Sequence, residues 1–192
     1  MNERELTEVW ASYAKLAEKI NRGTGVEAML DELGERILMC PAEPRNDCPG
    51  CEPGGLVQQA ITISKGMKKI NDTLSLGVPT ESILIVGLFH EIGKIGTLET
   101  PYFLPEEEGW KRDKLGTFYK INDMISKTSV QERSLYLLQH YGIKLDEHEF
   151  MAIRGPNKTA EWADSRLFPS QDPMVSVLLK SSRDIFVRRH GS

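Results

Sequence analysis

The segment 81–96, ESILIVGLFHEIGKIG, is the most hydrophobic stretch of the sequence and constrains the fold more than any other feature. Its length and its lack of alternation between apolar and polar residues favour a buried helix over a β-strand. A helix that is apolar on every side is buried by the rest of its protein. The sequence therefore predicts a central helix here, with the remaining segments packed around it.

Six further segments carry apolar residues at steps of three and four, which places them on one face of a helix. Capping-box patterns occur at Ser129, at Asp146 and at Thr24 with Glu27. The predicted fold is all-α, a helical bundle of about seven helices with a small β-hairpin near 100–121. The six segments are 2–21, 24–40, 56–74, 129–141, 147–154 and the stretch that begins at Asp172. The last is expected to bury Val175, Leu178, Leu179, Ile185 and Phe186.

The composition is that of one acidic domain spanning residues 1–192, with 28 Asp and Glu against 24 Lys and Arg and a net charge of −4. No apolar run reaches the roughly 20 residues of a membrane span, and MNERELTEVW lacks a signal-peptide pattern, so we expect a cytoplasmic protein without membrane contact. The negative charge argues against broad binding to nucleic-acid phosphates. A local basic patch would be the exception, formed by Lys65, Lys68 and Lys69 with Arg183, Arg188 and Arg189.

Three cysteines, Cys40, Cys48 and Cys51, lie in or beside a loop rich in proline and glycine at 40–54. No helix or central strand is expected to run through such a segment. In a cytoplasmic protein the Cys-Pro-Gly-Cys turn is compatible with a structural zinc ion that takes these three thiolates, with a fourth ligand from His90, His140 or an added group. The alternative interpretation is three reduced thiols in a loop.

A second group of residues that could bind a metal or take part in catalysis is His90 with Glu91, followed one turn later by Lys94. Adjacent residues on a helix point about 100° apart, so both reach one metal ion only where the helix lines a cleft. A hydrogen-bonded core histidine beside a partly exposed glutamate is the simpler interpretation. One dipeptide does not decide between them.

The order of several motifs adds to this dipeptide. GGL opens a helix at 54–56, GLFHEIGKIG follows at 87–96, and ERSLYLL and MAIRG come later. Together they resemble the HD-domain superfamily of metal-dependent phosphohydrolases, and most of all its small phage and prophage members. The resemblance implies an all-α bundle whose helices converge on one or two divalent metals. These metals activate water for attack on phosphate esters, mostly of nucleotides.

The resemblance also implies that most of the ligand set has been replaced. The family's other ligand-type histidines fall on Gln59, Val130, Pro156 and Lys180, and its closing aspartate falls on Arg183. His90 is kept, and Glu91 is one methylene longer than the usual aspartate. Valine and proline offer no donor to a hard cation, and a guanidinium repels one. We therefore expect no divalent metal here and an ion pair between Arg183 and Glu91 in its place.

The sequence thus predicts a degenerate HD-domain protein, encoded by a phage and working in the host cytoplasm. It would act as a non-catalytic binding or regulatory module for a nucleotide, another phosphate ligand or a protein partner. One alternative is an active phosphohydrolase with His90, Glu91 and Lys94 as catalytic residues. Another is a zinc-stabilised interaction subunit. Trp110, Trp162 and Phe168 are candidate partner contacts, and the alternative is that each packs into the core.

Overall fold

Helices account for most of the computed structural model, which describes residues 1–155 and 172–190. A two-stranded antiparallel sheet and a short 3-10 turn at Ile92–Ile95 complete the structure. The helices are α1 (Glu3–Ala17), α2 (Gly25–Met39), α3 (Gly55–Leu74), α4 (Thr80–Phe89), α5 (Gly109–Leu115), α6 (Val130–His140), α7 (Glu147–Arg154) and α8 (Met174–His190). The strands are β1 (Phe103–Pro105) and β2 (Tyr119–Ile121). None of the described helices is both long and apolar enough to cross a membrane.

Helix α4 forms the centre of the bundle, as its composition predicts. Eight of its ten residues, from Ser82 to Phe89, are buried, and α1, α3, α7 and α8 all pack against it. Gly87 lets α4 lie close against α3, because a Cβ atom at this position would be 2.3 Å from the Ser64 hydroxyl oxygen of α3. The long apolar segment is therefore covered by four other helices.

The central helix is shorter than the sequence predicts. Helix α4 ends at Phe89, His90 is its C-cap, and the chain continues into the 3-10 turn rather than as one helix to residue 96. Gly93 packs so tightly on α6 that an added Cβ would lie 2.2 Å from the carbonyl oxygen of Val130. The Gly93 amide donates to Ser134 Oγ at 2.9 Å. Gly93 thus packs the 3-10 turn against α6, and Glu91 and Lys94 lie beside it in the chain.

Local capping signals give a mixed result. The capping boxes predicted at Ser129 and Asp146 are both present. The box predicted at Thr24 is wrong, since its side chain makes no cap hydrogen bond at the start of α2. An unpredicted capping box joins Asn2 to Glu5 at the start of α1. Each box satisfies amide groups that a helix start leaves without partners.

The region near 100–121 contains the expected pair of strands, with Phe103 opposite Ile121. Their connection holds α5 rather than a tight turn, so the described chain has eight α-helices instead of seven. Two other details differ from expectation. Ile185, expected in the core, is 49% exposed, and Trp110, expected in a loop, lies on α5. Trp110 is exposed there, as a candidate partner contact would have to be. Trp162 and Phe168 lie outside the described residues.

Candidate functional site

The residues of the predicted site meet where α4 ends and α8 passes. Arg183 Nη2 lies 2.7 Å from Glu91 Oε1, and Lys94 Nζ lies 2.9 Å from Glu91 Oε2. The Glu91 side chain is only 5% exposed, whereas that of Arg183 is 40% exposed and marks the open side of the group. The expected pairing of Arg183 with Glu91 is therefore present, and a second cation contacts the other carboxylate oxygen.

Lys94 also joins this group to the cysteine-bearing loop. Its ammonium donates to the carbonyl oxygen of Ala42 at 2.6 Å and to Glu43 Oε1 at 3.0 Å. Cys40 Sγ lies 3.3 Å from the Lys94 carbonyl oxygen. The start of the loop is thus held against the 3-10 turn by one buried lysine.

The charges in this group balance. Burial alone would raise the pKa of Glu91, but attraction to His90, Lys94 and Arg183 lowers it to about 2. Burial lowers the pKa of Lys94, but Glu91 and Glu43 outweigh this and raise it. The two carboxylates, of Glu91 and Glu43, are thus matched by the two cations, of Lys94 and Arg183.

His90 is neutral, and one of its two ring nitrogens makes no hydrogen bond. Burial lowers its pKa to about 4, because the charged imidazolium would lose its hydration. Nδ1 lies 3.1 Å from the carbonyl oxygen of Gly87, so this nitrogen carries the proton. Nε2 is buried and has no hydrogen-bond partner. The ring therefore keeps an unused lone pair next to the ion pairs.

Two further buried polar atoms lack partners on helices that pack against each other. They are Gln59 Oε1 on α3 and Ser182 Oγ on α8. Ser182 precedes Arg183 and faces Gly66 of α3, where an added Cβ would lie 3.2 Å from its hydroxyl oxygen. Unpartnered buried polar atoms are uncommon, and each calls for a specific explanation. A remnant binding site is one such explanation.

The other positions matched to the family do not join the group as side-chain ligands. Val130 is the first residue of α6, and its carbonyl oxygen accepts from Ser134 Oγ at 2.9 Å. Lys180 is exposed on α8. Pro156 lies outside the described residues. The structure therefore brings together His90, Glu91 and Arg183 and leaves Lys180 at the surface.

The residues of this group do not fit a divalent metal. Both carboxylate oxygens of Glu91 face cations, and Arg183 cannot lose its proton to make room for another positive charge. Among residues 1–155 and 172–190, no set of three or more His, Cys, Asp and Glu side chains is grouped as metal ligands would be. His90 Nε2 is a ligand-type atom of the group that has no hydrogen-bond partner.

The three cysteines are free thiols with different surroundings. Burial raises the pKa of Cys40 to about 12, which disfavours the thiolate that a zinc ion would require. Burial also raises the pKa of Cys48 and Cys51, which are half-buried. Cys48 Sγ lies 3.6 Å from Asp47 Oδ1. In the metal-free protein, the surroundings of all three residues thus favour the protonated thiol over the thiolate.

Three residues that position the site were missed at the level of sequence. Ser134 and Arg133 of α6 bind the turn, with Arg133 Nε donating to the Gly93 carbonyl oxygen at 3.0 Å. Glu43 pairs with Lys94 from the loop. Arg133 and Ser134 belong to the ERSLYLL motif, so the motif indicated the part of the chain in which they lie. Nothing in the sequence around Glu43 indicates its partner.

Comparison of this chain with known protein families, with curated proteins and with solved structures found no match. Its function is therefore inferred from the residues and their geometry. The features that matter are the two ion pairs of Glu91, the neutral His90 and the unpartnered atoms of Gln59 and Ser182.

Proposed function

We propose that this chain is a degenerate HD-domain protein of the phage type that works as a non-catalytic binding or regulatory module. The observation that carries the proposal is the contact of 2.7 Å between Arg183 Nη2 and Glu91 Oε1. In the motif comparison, these residues stand where the family has two carboxylate ligands. The guanidinium thus takes the role of the metal as the cation that Glu91 binds.

An internal ion pair of this kind opposes metal binding in two ways. A divalent ion beside Arg183 would be repelled by a charge that stays fixed at every accessible pH. Displacing Arg183 or Lys94 to admit the ion would also remove a cation from a carboxylate that is 5% exposed. Metal uptake would therefore require breaking favourable contacts as well as making new ones.

The same electrostatics argue against the hydrolase alternative. A general base works best when its pKa lies near the working pH. The pKa of His90 is lowered to about 4 by burial, and that of Glu91 to about 2 by the adjacent charges. Lys94 is held by Glu91, Glu43 and the Ala42 carbonyl. In the metal-free protein, none of the three predicted catalytic residues therefore offers a general base with a pKa near neutrality.

The test combines metal content with turnover on the purified wild-type protein. We expect far less than one bound metal per chain after growth with added manganese, iron, nickel and zinc. We also expect no hydrolysis of nucleotides or cyclic nucleotides above that of His90→Ala, with Mg²⁺ or Mn²⁺ present. One tightly bound metal per chain, with turnover that His90→Ala abolishes, would establish the hydrolase and overturn the proposal.

A pair of cysteine substitutions assigns any zinc that is found. Zinc bound by the cysteine loop would be lost in the Cys48→Ser/Cys51→Ser double variant and kept in His90→Ala. That result would favour the zinc-stabilised interaction subunit. Zinc lost only in His90→Ala would instead assign the metal to the site of His90 and Glu91.

A further inference from the structure

A second surface of the molecule combines a concave apolar floor with an excess of positive charge. It is a groove of about 430 Å³ where the end of α1, the middle of α3 and the start of α4 meet. It is separate from the site around Glu91, since none of its lining residues belongs to that group. We call it the lysine groove. Its lining is Leu16, Lys19, Ser64, Lys65, Lys68, Lys69, Asp72, Thr73, Thr80, Ile83 and Leu84.

The charge in the lysine groove is largely uncompensated. Lys65, Lys68 and Lys69 are spaced to share one face of α3, and Lys19 adds a fourth ammonium from beyond the end of α1. Lys68 is paired with Asp72 at 2.6 Å. Within the described ranges, Lys19, Lys65 and Lys69 have no carboxylate partner. Three exposed cations therefore face one groove without an anion of the chain to neutralise them.

The floor of the groove is aliphatic. Ile83 and Leu84 are buried in α4, and Leu16 is half-buried at the end of α1. Among the residues that the structure describes, the lining contains no aromatic side chain. Nucleobases are commonly bound by stacking on aromatic side chains, so the floor suits an alkyl or acyl chain better than a base.

The start of α4 adds to the positive potential. Thr80 lies in the lining and is the first residue of this ten-residue helix, and its N-cap Pro79 makes no side-chain hydrogen bond to the first turn. The amide groups of a helix start carry partial positive charge. The nearby carboxylate of Glu81 is paired with Arg22 at 3.0 Å and leaves the lysine excess unchanged.

A neighbouring groove provides the opposite case within the same molecule. It lies between α1 and α2 and has a volume of about 920 Å³. In the described part of the chain, its charged lining residues are Glu18, Glu27, Asp31 and Glu35, without a lysine or arginine. An anionic ligand would therefore be attracted to the lysine groove and repelled from this one.

We propose that the lysine groove binds a small anionic amphiphile, a molecule with an aliphatic chain and a phosphate or carboxylate head. The chain lies on Leu16, Ile83 and Leu84, and the head contacts Lys19, Lys65 and Lys69. The volume falls in the range of small-molecule sites. This ligand class goes beyond the proposed function and does not depend on the ion pairs of Glu91.

The first test is a chain-length series of butyl, hexyl and octyl phosphate, each below its micelle concentration, measured by calorimetry with the full chain. Burial of each added methylene is expected to tighten binding by roughly twofold to fourfold. Inorganic phosphate and uncharged octyl glucoside should bind much more weakly than octyl phosphate. Equal affinity across the series, or equal affinity for octyl glucoside, would overturn the proposal.

The second test removes charge from the groove. Lys65→Gln/Lys69→Gln should weaken octyl phosphate binding about fivefold to tenfold at low salt, because two exposed ion pairs are lost. The matched control is Lys120→Gln/Lys127→Gln, which removes the same charge from exposed positions outside the groove. Circular dichroism checks that both variants are folded. An equal loss in both, or no loss in either, would contradict the proposed site.

Two further probes separate other occupants. Binding of ATP more tightly than octyl phosphate, with the same dependence on Lys65 and Lys69, would replace the amphiphile by a nucleotide. Binding to vesicles of phosphatidylglycerol and phosphatidylcholine, without binding of monomeric octyl phosphate, would replace it by a membrane surface. Both results would overturn this proposal and leave the metal-content test of the proposed function unaffected.

Discussion

Two buried glutamates of this protein, Glu149 and Glu91, are each paired with an arginine, but their surroundings differ. Glu149, fully buried at the start of α7, has Oε1 bound to Arg22 at 2.9 Å and Oε2 bound to the Asp146 amide at 2.9 Å. Glu91, at the end of α4, has Oε1 bound to Arg183 and Oε2 beside Lys94. Both carboxylates are therefore compensated, the first by one cation and a helix cap and the second by two cations.

The two pairs differ in whether the buried polar atoms around them have hydrogen-bond partners. Within the described part of the chain, no buried side-chain atom of Arg22 or Glu149 lacks a partner. Next to Glu91, by contrast, His90 Nε2 has none, and Ser182 Oγ beside Arg183 has none either. A pair that exists only to join helices has no need of spare polar atoms. The difference teaches that the polar atoms around the Glu149 pair are all satisfied, while the Glu91 pair lies beside two buried polar atoms without partners.

The largest expected effect comes from breaking the Glu149 pair. Arg22→Ala leaves the fully buried Glu149 carboxylate without its cation and also frees Glu81. Loss of one partner of a buried pair costs about 3–5 kcal/mol of the free energy of unfolding. Urea denaturation measures this, with Arg4→Ala, whose side chain is 88% exposed, as the control expected to change little. A loss similar to that control would show that the pair contributes no stability.

The next effect is a dependence of stability on pH that belongs to His90. Its pKa is lowered from 6.5 to about 4 in the folded protein, mainly by burial, so the unfolded chain binds the proton first as the pH falls. Stability is therefore complete above pH 6.5 and is lost progressively toward pH 4. The loss amounts to roughly 3 kcal/mol at about 1.4 kcal/mol per pKa unit. Glu91, lowered from 4.5 to about 2, adds a further loss below pH 4.5.

Two histidine variants isolate the contribution of His90. His90→Leu should flatten the stability curve between pH 6.5 and 4, because the group that resists protonation is gone. His148→Gln, at an exposed position of α7, should leave the wild-type slope unchanged. A wild-type slope in His90→Leu would mean that another group titrates in this window.

A smaller effect is expected at the Glu91 pair itself. Arg183→Ala removes one cation, but Lys94 still contacts Glu91, and the Arg183 side chain is 40% exposed. Solvent screening at that exposure reduces the expected loss to about 1 kcal/mol. Urea denaturation beside Arg22→Ala gives the comparison directly. An equal or larger loss in Arg183→Ala would remove the distinction between the two pairs.

The smallest effect of Arg183→Ala is expected in the reactivity of the cysteine thiols. This reactivity depends on the loop that Lys94 holds in place. Cys40 is buried with a pKa of about 12, so DTNB should react with Cys48 and Cys51 first. Arg183→Ala should leave Cys40 protected, because Lys94 keeps its contacts with Ala42 and Glu43. Rapid labelling of Cys40 in the wild type would show that the loop is not held as described.

The sequence predicted two of the helix caps and one distant ion pair, and it missed the distant contacts that no motif indicates. The caps at Ser129 and Asp146 follow from residues three positions apart, so they were predictable. The end of α4 was not, because it coincides with the packing of Gly93 against the backbone of α6. The Arg183–Glu91 pair was predictable from aligned motif positions. The contact between Lys94 and Glu43 was not, because loop geometry has no periodic signal.

The most direct test of the central claim is to introduce the ligands that the proposed HD resemblance implies and to measure bound metal. Gln59→His/Arg183→Asp should give the folded protein about one bound manganese, iron or nickel ion per chain, and adding His90→Ala should remove it. The control Gln58→His/Arg188→Asp makes the same chemical changes at exposed positions and should remain metal-free, as should the wild type. A folded double variant without metal, or a control that binds as much, would contradict the claim that Arg183 occupies a former metal site.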